Sequence, residues 1–110
     1  MRTINELVLS KDLISFPSIT PIDAGAINFL AKKLKTLGFK CKILEFKKGK
    51  GKPIKNLYAK LGSKQPNLCY AGHTDVVPPG NYKDWTVNPF KPKIKKGYLI
   101  GRGANDMKSS

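Results

Sequence analysis

His73 is the single histidine in the chain, and it stands two residues before a carboxylate, Asp75. An imidazole beside a carboxylate is the beginning of a divalent-metal site. A lone histidine is ordinarily structural or merely exposed. Here it directly follows the apolar run Leu68-Cys69-Tyr70-Ala71-Gly72. In extended chain, residues i and i+2 share a face and lie ~6.6 Å apart along it. Asp75 can then accept a hydrogen bond from one ring nitrogen while the other nitrogen faces a metal, an arrangement that fixes the tautomer and strengthens the ligand. Equally, Asp75 reads as a turn residue before Val76-Val77-Pro78-Pro79. Asp106 is open to two readings as well. After Gly101-Arg102-Gly103-Ala104 it can cap a helix, or its carboxylate can ligate or bridge cations. The spacing of His73 and Asp106 matches no compact zinc-finger motif. Cys41 and Cys69 form no Cys-x-x-Cys pair, which disfavours thiolate zinc, and both are expected to be reduced, buried small hydrophobes.

The elements that must position these residues follow from periodicity. Ile4, Leu7, Val8, Leu13 and Ile14 predict a helix over 3–15 with Thr3 as its cap. The two prolines of Phe16-Pro17-Ser18-Ile19-Thr20-Pro21 then force extended chain. Thr20 as N-cap and Pro21 at the first helical position predict a helix over 21–37, ended by Gly38. Alternation predicts strands over 39–46 and 56–61, joined by a lysine-rich loop and able to form a hairpin. Residues 68–72 are apolar without alternation, the pattern of a strand covered on both faces of an α/β sheet. Sites in open α/β sheets lie just beyond the carboxyl ends of such strands, where His73, Thr74 and Asp75 stand. Residues 81–96 read as irregular, 98–100 as a short strand, and 105–108 as the start of a helix. Because a domain seldom ends by opening a helix, the end at Ser110 suggests a truncated product or partial sequence.

Two blocks carry a family resemblance. Gly72-His73-Thr74-Asp75-Val76-Val77-Pro78-Pro79-Gly80 is the first. Gly97, Leu99, Gly101-Arg102-Gly103-Ala104 and Asp106-Met107-Lys108 form the second, with Trp85, Pro89, Phe90 and Pro92 between them. Together with Pro17-Ser18-Ile19-Thr20-Pro21 and Ala24-Gly25, they resemble the two-zinc aminoacylases, acetylornithine deacetylases and carboxypeptidases. Ser109, where glycine is usual, and Asn105, where a smaller residue is commoner, depart from the pattern without touching a ligand. The resemblance implies an α/β fold: the amino-terminal part of a zinc-peptidase-like catalytic domain, a central mixed sheet flanked by helices, occupying residues 1–110. It further implies that His73 binds one zinc, that Asp75 is an active-site residue orienting it, and that Asp106 bridges two zinc ions, with cobalt as a possible substitute. The general-base glutamate, the remaining ligands and a satellite dimerisation domain would lie beyond residue 110. A homodimer acting on an anionic small molecule is the expected whole, and residues 1–110 alone are expected to be inactive.

The formal net charge is +14, carried by 21 Lys and Arg against 7 Asp and Glu. The lysines fall where a solvated helix face and loops are expected, and only two of the basic residues are arginines, which disfavours a nucleic-acid module. Solvation is the first reading, steering of an anionic substrate the second, and a small basic nucleic-acid-binding module the third. A related deacylase or dipeptidase and an inactive remnant are further alternatives. No apolar run approaches membrane-spanning length, and the start from Met1 to Lys11 lacks a signal-peptide core. A cytoplasmic location without membrane or specific nucleic-acid partners is therefore expected.

Overall fold

The structure is a computed structural model that describes residues 3–110; the first two residues of the start from Met1 to Lys11 lie outside them. The first helix, α1, runs Glu6–Ile14. Its cap is Asn5, whose side chain accepts from the Val8 N–H at 2.9 Å, and not Thr3. The helix buries Ser10, Leu13 and Ile14.

The second helix, α2, spans Ala26–Thr36, starting five residues later than the Thr20-Pro21 signal predicts. Two interactions explain the delay. The Thr20 hydroxyl is committed elsewhere, to Asp75 Oδ2, so it caps nothing. Asp23 takes over, its carboxylate accepting from the N–H groups of Gly25 at 3.0 Å and Ile27 at 3.1 Å. Gly25, at φ 93°, occupies a left-handed turn that costs an L-residue with a Cβ. At the other end Gly38, at φ 91°, closes the helix as expected.

Strands β1 (Lys40–Phe46) and β2 (Ile54–Lys60) form an antiparallel hairpin that pairs Cys41 with Ala59, Ile43 with Leu57 and Glu45 with Lys55. That face lies towards α2, where the Cys41 thiol sits 3.7 Å from the Ala31 carbonyl. The opposite face carries Phe46, Ile54 and Tyr58 into solvent beside Lys40, Lys42 and Lys60. A short 3-10 turn, Tyr82–Asp84, precedes a second antiparallel pair, β3 (Lys93–Lys95) and β4 (Tyr98–Ile100). Thus part of the stretch expected to be irregular is strand, closed by a turn with Lys96 and Gly97 at positive φ.

Residues 68–72 depart most from expectation. They form no strand, and Leu68 and Tyr70 are 94% and 69% exposed. Cys69 is exposed too, although both cysteines are free thiols as expected. Unalternating apolar sequence signals a covered position, and no strand among the described residues pairs with this segment. The expected central mixed sheet is accordingly represented here by two separate two-stranded sheets, plus one parallel bridge between Ile19 and Val76. Residues 105–108 are turn and not helix, so Asp106 caps no helix.

The core gathers Leu13 and Ile14 from α1, Ala26, Ile27 and Ala31 from α2, and Val76 and Val87 from the loops. Phe16 and Phe29 pack with ring centres 5.2 Å apart. This core holds the Phe16–Thr20 connection against the loop after residue 72, which is what positions the site.

Candidate metal centre

Three elements converge at one end of the core. The first is the loop His73–Val76, tied to the Phe16–Thr20 connection by backbone bonds from Val76 N to Ser18 O at 2.9 Å and from Thr20 N to Val76 O at 3.4 Å. Ser18, 1% exposed, adds a hydroxyl bond to the Thr74 carbonyl at 2.6 Å. The second is the turn Gly101–Ser110. It is pinned by the Lys108 N–H on Gly103 O at 2.8 Å and by the Arg102 N–H on Pro89 O at 2.8 Å. Gly103 is required there: its φ is 94°, and a Cβ would come within 3.0 Å of Val76 Cγ1 and 3.1 Å of Lys108 Cδ. The third is Trp85, which bonds through Nε1 to the Pro79 carbonyl at 2.9 Å.

The geometry brings His73, Asp75 and Asp106 together. Nδ1 of His73 lies 3.0 Å from the Asp75 carbonyl oxygen and 3.2 Å from Asp75 Oδ1. Nε2 lies 3.0 Å from Asp106 Oδ1. The imidazole is thus flanked by acceptors on both sides. Its pKa is raised above the ordinary 6.5, first by the bond to the Asp75 backbone carbonyl and next among the raising effects by the bond to Asp106, against an opposing contribution from desolvation. Asp75 uses both oxygens, one towards His73 and the other receiving the Thr20 hydroxyl.

Two donors on the same zinc, each ~2.0–2.2 Å from it in tetrahedral geometry, stand ~3.3–3.5 Å apart. The 3.0 Å between His73 Nε2 and Asp106 Oδ1 is within a few tenths of an ångström of that. Imidazole nitrogen with carboxylate oxygen is also a donor set that suits zinc. These residues therefore fit a metal as one side of a site. Among the described residues, no group of three or more His, Cys, Asp or Glu side chains forms around them. Beside them opens a cleft of about 880 Å³, lined in part by Val77, Trp85, Tyr98 and Arg102. The Arg102 guanidinium stacks 5.1 Å from the centre of the Trp85 ring, and its Nη2 reaches the Pro78 carbonyl at 3.5 Å.

Reading by residue type makes Thr20 a helix cap and assigns no individual task to Arg102 or Lys108. Lysine is ordinarily exposed, yet Lys108 is 4% exposed, its ammonium donating to the Phe16 carbonyl at 2.8 Å. Burial pushes its pKa from 10.5 down to about 8, partly opposed by Asp23 and Asp75. Because the folded value is the lower one, the unfolded chain holds more protons between pH 8 and 10.5, and this group's cost is relieved as pH rises through that window. Urea titrations of the wild type and Lys108→Met across that window test this. The wild type is expected to gain stability relative to the variant as pH rises; a constant difference would contradict it.

Comparisons with known proteins give likenesses of sequence and of fold. Over residues 69–110 the chain matches the model of Peptidase family M20/M25/M40. Human carnosine dipeptidase 1 superposes with a TM-score of 0.81 over 94% of this chain and 25% of its own, at 22% identity, a likeness of fold. In sequence the chain is similar over its whole length to succinyl-diaminopimelate desuccinylase of Pelagibacter ubique (strain HTCC1062), at 70% identity, covering 29% of that protein. It is 59% identical over 96% of its length to the enzyme of that name from Wolbachia pipientis subsp. Culex pipiens (strain wPip). It is 53% identical over its whole length to that from Anaplasma marginale (strain Florida), of which it covers 28%. The chain thus spans under a third of the curated relatives it matches. The resemblance drawn from the two sequence blocks holds. Among the described residues, no helix is long and apolar enough to cross a membrane.

Proposed function

We propose that this chain provides one side of the metal site of an amide hydrolase that removes succinate from N-succinyl-LL-2,6-diaminopimelate, in lysine and diaminopimelate biosynthesis. The observation that carries the reading is the approach of His73 Nε2 to Asp106 Oδ1 at 3.0 Å, inside the stretch that matches the peptidase family. The substrate is taken from the relatives' name.

His73 and Asp106 would hold zinc, two ions per complete subunit with Asp106 shared between them, and cobalt as a substitute. When bound, such a metal polarises the amide carbonyl and lowers the pKa of water. The chain's own residues have simpler tasks. Asp75 accepts a hydrogen bond from Nδ1 through its backbone carbonyl, with its Oδ1 3.2 Å from the same nitrogen, leaving the Nε2 lone pair for a metal. Asp106 supplies a carboxylate oxygen. Arg102, with Lys95 and Lys96 on the same cleft, gives it a positive wall that suits a substrate bearing several carboxylates. The family resemblance puts the general base and further ligands outside residues 1–110, so these residues alone would be inactive. A cytoplasmic homodimer is the corresponding form of the whole.

The test offers succinyl-diaminopimelate and acetylornithine to the complete polypeptide that carries residues 1–110. Preferential cleavage of the succinyl amide is expected. Preference for the acetyl amide, or for a dipeptide, would place the activity elsewhere among the relatives. Tight duplex binding with a steep salt dependence and no hydrolysis would instead support a nucleic-acid module.

A further inference from the structure

Thr20 is bonded across the fold to a carboxylate and not to its own helix. Its hydroxyl donates to Asp75 Oδ2, while the other oxygen of that carboxylate lies 3.2 Å from His73 Nδ1. Between them these contacts fix the carboxylate: one oxygen is held by the connection before α2, and the other faces the imidazole. The donor is itself anchored. Ile19 and Val76 form a parallel bridge, and Ser18, next but one in the chain, is bonded to Thr74 and Val76.

We propose that Thr20 is a positioning residue which, through Asp75, determines which ring nitrogen of His73 carries the proton. A neutral imidazole has one N–H and two tautomers. Nδ1 faces two acceptors, the Asp75 carbonyl at 3.0 Å and Asp75 Oδ1 at 3.2 Å, whereas Nε2 faces one, Asp106 Oδ1 at 3.0 Å. With Asp75 held, the proton belongs on Nδ1 and the Nε2 lone pair is open. With the Thr20 hydroxyl removed, the carboxylate is free to turn away from Nδ1. The balance then moves towards Nε2–H, which closes the lone pair to any ligand. The inference rests on the reading of His73 as a metal donor and extends it to the residue that prepares the donor.

A single histidine makes the experiment clean. Ring ¹⁵N shifts of His73 are recorded in the metal-free chain, at a pH alkaline enough to keep the imidazole neutral, and Zn²⁺ affinity is measured by calorimetry. Thr20→Val is expected to raise the Nε2–H share and weaken Zn²⁺ binding about 3–10-fold, at or below the low end of the ~10–100-fold typical of losing a group bonded directly to a ligand. Thr20→Ser, which keeps the hydroxyl, is expected to restore both. Thr20 is exposed, and should Thr20→Val not fold, Thr20→Ala removes the same hydroxyl. In an Asp75→Asn background the Thr20 substitution is expected to change neither reading. An unaltered tautomer ratio in a folded variant lacking the hydroxyl, or an undiminished effect beside Asp75→Asn, would overturn the proposal. Because the tautomer is read without metal, a wild type that binds no Zn²⁺ would count against the metal reading and leave the role of Thr20 to be decided by its own measurement.

Discussion

His73→Ala is expected to abolish measurable Zn²⁺ binding, a loss exceeding the ~10–100-fold that follows removal of a mere outer partner. The imidazole is the chain's only one, so no neighbour can replace it. Its side chain is 46% exposed, so the substitution removes a donor without opening a core cavity. The amide spectrum outside the loop His73–Val76 and the turn Gly101–Ser110 is expected to stay unchanged. Calorimetry with the wild type and the variant, in a buffer that does not chelate zinc, gives the comparison. Since the raised pKa of His73 lets protons compete for Nε2, wild-type affinity is also expected to fall as pH is lowered through that pKa. Retained affinity in His73→Ala would mean that zinc sits elsewhere.

Asp106→Ala is expected to have an effect of similar size by a different route. The Asp106 side chain is 81% exposed, so its removal should alter stability by no more than about 0.5 kcal/mol. Lost affinity could not then be ascribed to unfolding. The two donors act as a chelate, so their losses should not add. Once His73 is gone, removing Asp106 should cost little more, and the coupling in a double-mutant cycle measures how far they share one ion. Strictly additive losses would assign them to separate ions.

The sequence reveals the residue types of this site better than its construction. His73 and Asp75 are legible together because residues i and i+2 share a face. Asp106 is not legible from spacing, since 33 positions separate it from His73; only the family motif links them. The hairpin of β1 and β2 and the end of α2 at Gly38 are local in origin, and local patterns predict them. The start of α2 is mistaken because Thr20-Pro21-x-Asp23 is a good local cap, but the Thr20 hydroxyl serves a carboxylate 55 residues away. Tertiary demand outweighs propensity at that point. The same segment shows why the error is informative: a helix-start signal left unused marks a side chain employed elsewhere. Residues 68–72 fail differently. Their apolar pattern asks for cover that the described residues do not provide, and the relatives, of which this chain spans 29% in the case of 70% identity, have further chain that could supply it. Lys108 is hidden from residue-type reasoning because only the fold shows that its ammonium reaches the carbonyl of Phe16.

Anomalous diffraction at the zinc edge, from crystals soaked in Zn²⁺, addresses the metal site most directly. The expected result is a peak ~2.0–2.2 Å from both His73 Nε2 and Asp106 Oδ1, with Nδ1 still on Asp75. A peak on other side chains, or none at this pair under saturating zinc, would contradict it.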